Sequence, residues 1–122
     1  MKYALITGSN GLVGSEAVDF FIKKKFKIIA IDNNFRRYFF GKNADTTWQK
    51  KIQIRKFKKE IFHHNIDIRN QKKITNIFLK YKKNIKCIIH AAAQPSHDWA
   101  YKEPVLDFDI NARSTLHLLE CT

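Results

Sequence analysis

Three of the four glycines in this 122-residue chain fall within seven residues, in the stretch Thr7-Gly8-Ser9-Asn10-Gly11-Leu12-Val13-Gly14. Spaced as Gly-x-x-Gly-x-x-Gly, they suit the binding of a pyrophosphate. Gly8 lets the chain turn sharply. Gly11 lets a phosphate approach the backbone, and Gly14 lets a following helix pack close to a sheet. Free N–H groups at the start of that helix would face the phosphates, with the helix dipole favouring their negative charge. Asp32 comes 18 residues after Gly14. A carboxylate there accepts hydrogen bonds from the adenosine ribose hydroxyls of NAD and repels the 2′-phosphate of NADP. Arg36 and Arg37 pull the other way, because a nearby arginine can hold that phosphate, but the motif favours NAD.

This chemistry requires a strand before the glycines and a helix after them. Residues 3–6 form a short apolar run of the kind that makes a buried parallel strand. Leu12, Val13, Ala17, Phe20 and Phe21 then recur at helical spacing. Lys27 to Ile31 reads as a second strand with Asp32 at its end. Residues 33–47 are polar, aromatic and irregular, and read as a loop over the nucleotide's adenine side. A helix over residues 48–57 would turn Trp48, Ile52 and Phe57 to the core. Residues 61–66 suggest a third strand. Asn70 caps a helix striped by Ile74, Ile77, Phe78 and Tyr81. Residues 85–89 form a fourth strand, followed by the small residues Ala91, Ala92 and Ala93, then by the polar loop 94–99. Pro104 opens a last helix that runs to Cys121. The expectation is an α/β, Rossmann-type doubly wound parallel sheet of strand order 3-2-1-4, since right-handed crossovers leave little else.

Other chemistry is weaker. Tyr38 and Lys42 have Tyr-x-x-x-Lys spacing, but they follow the second strand and would sit by the adenosine, away from any nicotinamide. His63 and His64 would point to opposite faces of a strand, a poor metal pair. His97 and Asp98 are neighbours in sequence and rarely face one another. No catalytic and no metal-binding set is assigned.

The formal charge is +12, which invites a nucleic-acid reading. The lysines, however, cluster at helix ends (Lys23-Lys24-Lys25, Lys58-Lys59, Lys82-Lys83), where cations complement the dipole and stay solvated. No stacking platform accompanies them, so nucleic acid is not expected as a partner, and no apolar run is long enough to span a membrane, so none is expected there either. Two cysteines, Cys87 and Cys121, suit the cytoplasm.

Taken together, these residues resemble the extended short-chain dehydrogenase/reductase family of NAD-dependent nucleotide-sugar epimerases and dehydratases. The resemblance rests on Thr7-Gly8-x-x-Gly11-x-x-Gly14, Asp32, Asp67-Ile68, His90-Ala91-Ala92 and Asn111-x-x-x-Thr115-Leu116-x-Leu118-Leu119-Glu120. Residues 34–41 and 92–100 resemble the branch of CDP-paratose 2-epimerases. The resemblance implies a bound NAD that oxidises a sugar carbon and returns the hydride to the other face. It places Gly8, Asn10, Gly11, Leu12, Val13 and Gly14 by the pyrophosphate, and Asp32 and Asn33 on the adenosine ribose. It sets Asp67 and Ile68 beside the adenine. Ala91, Ala92 and Ala93 would line the nicotinamide side with support from Asn111, and Ser96 and His97 would reach substrate. It also implies a last helix that joins a homodimer bundle. The family's catalytic Ser/Thr and Tyr-x-x-x-Lys lie beyond the matched stretch. The chain is therefore expected to be a truncated, N-terminal NAD-binding part, residues 1–122, inactive alone or completed by a separate chain. An open sheet edge would leave it prone to associate.

Overall fold

A computed structural model describes residues 1–122. Four strands, β1 (Tyr3–Thr7), β2 (Lys27–Ile31), β3 (Ile61–His64) and β4 (Ile85–His90), form one parallel sheet in the order β3-β2-β1-β4. Seven α-helical segments connect and follow them. These are α1 (Leu12–Lys23), α2 (Phe35–Phe40), α3 (Thr47–Phe57), α4 (Gln71–Tyr81), α5 (His97–Lys102), α6 (Pro104–Phe108) and α7 (Ser114–Glu120). The sheet and its order are those expected from the sequence.

β1 lies in the middle because both its edges are used. Leu5 pairs with Ile29 on one side and with Ile88 on the other. Alternate residues serve opposite faces, as strand geometry requires. Ala4 and Ile6 join Val18, Ile28, Ala30 and Ile61 in one core cluster. Leu5 joins Ile29, Ile31, Ile74, Ile77, Ile110 and Leu118 in the other. With helices over both faces, the two inner strands β1 and β2 are buried on both sides after their first residue, which is why they read as nearly continuous apolar runs, whereas the edge strands β3 and β4 stay partly open. Each fully buried Leu or Ile stabilises the fold by about 1.5–3 kcal/mol.

Several expectations need correction. The stretch 33–47 is not a plain loop: it holds α2 and a 3₁₀ turn over Lys42–Ala44. β3 stops at His64, two residues early, because Ile66 leaves the ladder and donates its N–H back to the His64 carbonyl. On α3 the core position is not Trp48, which is 60% exposed, nor Ile52; the buried side chain is Gln53. Leu12, Val13 and Phe20 do not lie on the buried face of α1, which instead presents Gly14 and Val18. The polar loop after β4 winds into α5 at His97. The last helix is interrupted by a π turn over Asp109–Arg113. No helix is long and apolar enough to cross a membrane.

Candidate functional site

The carboxyl ends of β1, β2 and β4 open onto a cavity of about 260 Å³. Its floor is the glycine turn. Gly8 has φ +65°, and a Cβ there would lie 2.8 Å from the Ala91 carbonyl carbon and the Ala92 nitrogen, so this turn and the residues after β4 are in direct contact. A Cβ on Gly14 would lie 2.0 Å from the Gly8 carbonyl oxygen. The missing side chain is what lets α1 start directly on the turn.

α1 begins without a side-chain cap. Its N-cap is Gly11, and its first turn carries no acidic residue. The first N–H groups of a helix have no partner within it, and Leu12, Val13 and Gly14 supply these groups at the cavity wall. Leu12 is 84% exposed and Val13 65%, an unusual display of apolar surface for a helix start. An anion placed here would meet unpaired donors and the positive end of the dipole.

Asp32 stands across the cavity. Its Oδ2 accepts from the Asn10 N–H at 3.0 Å and its Oδ1 from the Asn34 N–H at 2.8 Å. Two backbone donors therefore fix the carboxylate, and the remaining lone pairs are available to hydroxyl groups. Asn34 adopts the left-handed conformation (φ 59°), which asparagine tolerates. Its side chain ties the chain down by donating to Asp45 and accepting from Thr46. Hydrogen bonds from the Thr47 side chain and N–H hold the Asp45 carboxyl at about 2, well below its usual range.

The far wall is made by the residues after β4. Thr115 gives its one hydroxyl proton to the Asn111 carbonyl, so it accepts at 3.0 Å from His90 Nε2, which carries the ring hydrogen. His90 Nδ1 is then an acceptor and takes the Thr7 hydroxyl proton at 2.7 Å, while Thr7 accepts from the Ala92 N–H. Burial holds the His90 pKa below the usual histidine value, consistent with this neutral tautomer. Asn111 sits on the π turn and treats Gln94 as a strand would. Its Oδ1 accepts from the Gln94 N–H at 2.8 Å and its Nδ2 donates to the Gln94 carbonyl at 2.9 Å.

Of the expected site residues, Gly8, Gly11, Leu12, Val13, Gly14, Asp32, Asn33, Ile68, Ala91, Ala92 and Ala93 line this one cavity. Asn10 and Asn111 stand behind it and act through Asp32 and Gln94. Asp67 does not line it. Burial works against its charge, but bonds from Arg69, including one of 2.7 Å from Nη2, outweigh this and keep its pKa low. The Ser96 hydroxyl is used as the cap of α5, accepting from the Trp99 N–H, and His97 is exposed on the first turn. Tyr38 lies in an aromatic cluster with Phe35, Phe39 and Trp99. His63 faces Lys50 of α3 and His64 faces Tyr81 of α4, on opposite sides of the sheet.

Sequence reasoning missed two residues. Gln53 is 1% exposed and donates to the Ser9 carbonyl at 2.8 Å, which props the glycine turn from behind. Gln94, 3% exposed, ties the loop after β4 to Ser96 and Asp107. Gln53 sits among lysines and left no signal. For Gln94 the only cue was one polar residue directly after three alanines.

The arrangement suits two adjoining phosphates with a ribose at one end. Comparison with known proteins agrees with the fold. The profile of the GDP-mannose 4,6 dehydratase family matches residues 5–122. The CDP-paratose 2-epimerase of Salmonella typhi is 32% identical over 116 residues, which cover 95% of this chain and 31% of that protein. The UDP-glucuronate 4-epimerase of Thermodesulfobacterium geofontis is 28% identical over 120 residues, covering 98% and 35%. The chain thus spans about a third of the length of these relatives. Among solved structures, the UDP-glucose 4-epimerase of Thermus thermophilus in complex with NAD superposes with a TM-score of 0.70 at 25% identity, covering 98% of this chain and 33% of that one. The UDP-glucose 4-epimerase of Thermotoga maritima, with UDP-glucose, gives 0.75 at 24% identity, covering 98% and 33%.

Proposed function

The chain belongs to the GDP-mannose 4,6 dehydratase family, and from that premise we propose that its cavity binds NAD and that residues 1–122 are the dinucleotide-binding domain of a nucleotide-sugar epimerase of the CDP-paratose 2-epimerase kind. The observation that carries this reading is the pairing, across one cavity, of an uncapped helix start with a carboxylate fixed by two backbone donors. When bound, NAD supplies a hydride acceptor and donor for the oxidation and re-reduction of a sugar carbon. The chain's own residues bind and orient it. The N–H groups of Leu12, Val13 and Gly14 meet the pyrophosphate, and Asp32, with Asn33 beside it, takes the adenosine ribose hydroxyls. Ile68 flanks the adenine. Ala91, Ala92 and Ala93 leave room for the nicotinamide ribose, and Asn111 holds that wall through Gln94.

His97, exposed and unbonded, is better placed than Ser96 to meet a sugar nucleotide. Leu116 and Leu119, exposed on α7, belong on this reading to a homodimer contact, and the chain works in the cytoplasm. The sugar chemistry needs parts that lie outside the matched third of the relatives. A second reading, a module completed by a separate chain, is favoured by the outer edge of β4, which carries no strand.

Calorimetric titration of the purified chain with NAD tests the proposal, with Asp32→Ala as control. Bonds from ribose hydroxyls to a charged acceptor contribute about 1.5–3 kcal/mol, so the variant should bind at least about tenfold more weakly, and NADP more weakly than NAD. A folded wild-type chain that gives no binding heat would refute the reading, as would a variant that binds as tightly as wild type.

A further inference from the structure

The connectors after β2 and β4 lie on either side of β1 and have no local reason to meet, yet they do. The Trp99 indole Nε1–H of α5 donates to the Phe39 carbonyl of α2 at 3.0 Å, across 60 residues of sequence. The Trp99 ring lies 5.4 Å, centroid to centroid, from both Tyr38 and Phe39. Phe39 is 7% exposed and lines the cavity together with Phe35, on which it stacks at 5.1 Å. Pro95, four residues before Trp99, lines the cavity from the other side.

We propose that Trp99 is a positioning residue that fastens the loop after β4 to α2, so that the two connectors close together over the dinucleotide and slow its departure. The inference rests on the NAD reading above. α2 has six residues and no side-chain cap, far too short to be stable by itself. The Phe39 carbonyl belongs to its last turn, where carbonyls lack helical partners, and the Trp99 indole satisfies it. Trp99 is itself anchored. Its N–H donates to Ser96, Ser96 is held by Gln94, and Gln94 by Asn111. One unbroken set of bonds thus runs from the wall behind the alanines to the phenylalanines of α2. A ligand lying between the two connectors leaves freely only when the Trp99–Phe39 contact parts.

The test is the dissociation rate of NADH, followed by its fluorescence in stopped flow after competition with excess NAD, for the wild-type chain and for Trp99→Phe. The phenylalanine keeps an aromatic ring and loses only the N–H donor. Loss of one hydrogen bond predicts dissociation about fivefold faster, association no slower, and a urea midpoint lowered only by what that one bond contributes. A merely structural role would lower the midpoint and leave the dissociation rate of the folded fraction alone. Phe39→Ala, which removes the ring under the latch, should accelerate release further. Wild-type binding with equal dissociation rates in Trp99→Phe overturns this inference alone. A folded wild-type chain that binds no NADH overturns the functional reading and this inference with it.

Discussion

Replacing Gly14 by alanine puts a methyl group where the structure has no room. Its Cβ would stand 2.0 Å from the Gly8 oxygen, 2.6 Å from the Gly8 carbonyl carbon and 3.0 Å from the Ser9 Cα. Carbon and oxygen in contact sit about 3.3 Å apart, so α1 and the glycine turn must separate by roughly 1 Å. Overpacking costs about 1–3 kcal/mol where side chains can yield. Here every opposing atom is backbone, which puts the cost at about 3 kcal/mol or above. Alanine's better helix propensity returns about 1 kcal/mol. The net loss is then about 2 kcal/mol or more, a large share of the ~5–15 kcal/mol of a typical domain. Gly11→Ala is the matched control. Its Cβ meets only the Gly8 oxygen, at 3.3 Å, and its φ of −76° is open to any residue. Urea unfolding followed by circular dichroism should show Gly14→Ala clearly destabilised and Gly11→Ala within about 0.5 kcal/mol of wild type. NAD titration should show both variants impaired, the second because its methyl group stands where a phosphate approaches. A Gly14→Ala chain as stable as wild type would refute the close-approach argument.

Two further outcomes follow from buried groups. Gln53→Met removes the donor to the Ser9 carbonyl but also removes the buried, unpartnered Gln53 Oε1. The two effects oppose, leaving a loss of about 1 kcal/mol, whereas Gln53→Glu, which cannot donate while ionised and must otherwise take up a proton, should cost about 3 kcal/mol at pH 7; equal urea midpoints for the two variants would contradict this. His63 is held at about 4 by burial first, then by Lys50 and His64, and His64 is lowered as well. The unfolded chain takes up these protons near 6.5, the folded chain only at lower pH, so stability should fall as pH drops from about 6.5 to about 4. Urea midpoints at pH 7 and 4.5 check this, and His63→Gln should flatten the slope.

The inner strands β1 and β2 were legible because strands covered on both faces are almost wholly apolar, and the glycine turn because its spacing answers to steric need. The part of the cavity nearest the glycine turn could be read because its glycines, its alanines and Asp32 at a strand end each have a recognisable place in the sequence, whereas the phenylalanines of α2 that also line it could not. What was hidden depends on tertiary contact. Gln53 is buried because α3 lies against the glycine turn, and nothing in Gln49-Lys50-Lys51-Ile52-Gln53 distinguishes its inward position from a solvated one. Trp48 and Ile52 were assigned inward by hydrophobicity alone, which cannot say where a helix touches the sheet. α2 was read as loop because six residues lack the length for a periodic signal. Asp67 was set beside the adenine with no sign that Arg69, two residues on, bonds its carboxylate.

The pairing of β1 with β4 also sets an order of events in time. Thr7 meets His90 across 83 residues, so the central strand cannot complete both its edges until the fourth strand has been made. At about 5–20 residues per second, synthesis leaves that edge unpaired for about 4–17 s. During that interval Ala4, Leu5 and Ile6, fully buried in the finished fold, are open on one side to any passing strand. A nascent chain with a surplus of lysine meets other copies of itself as a like-charged object.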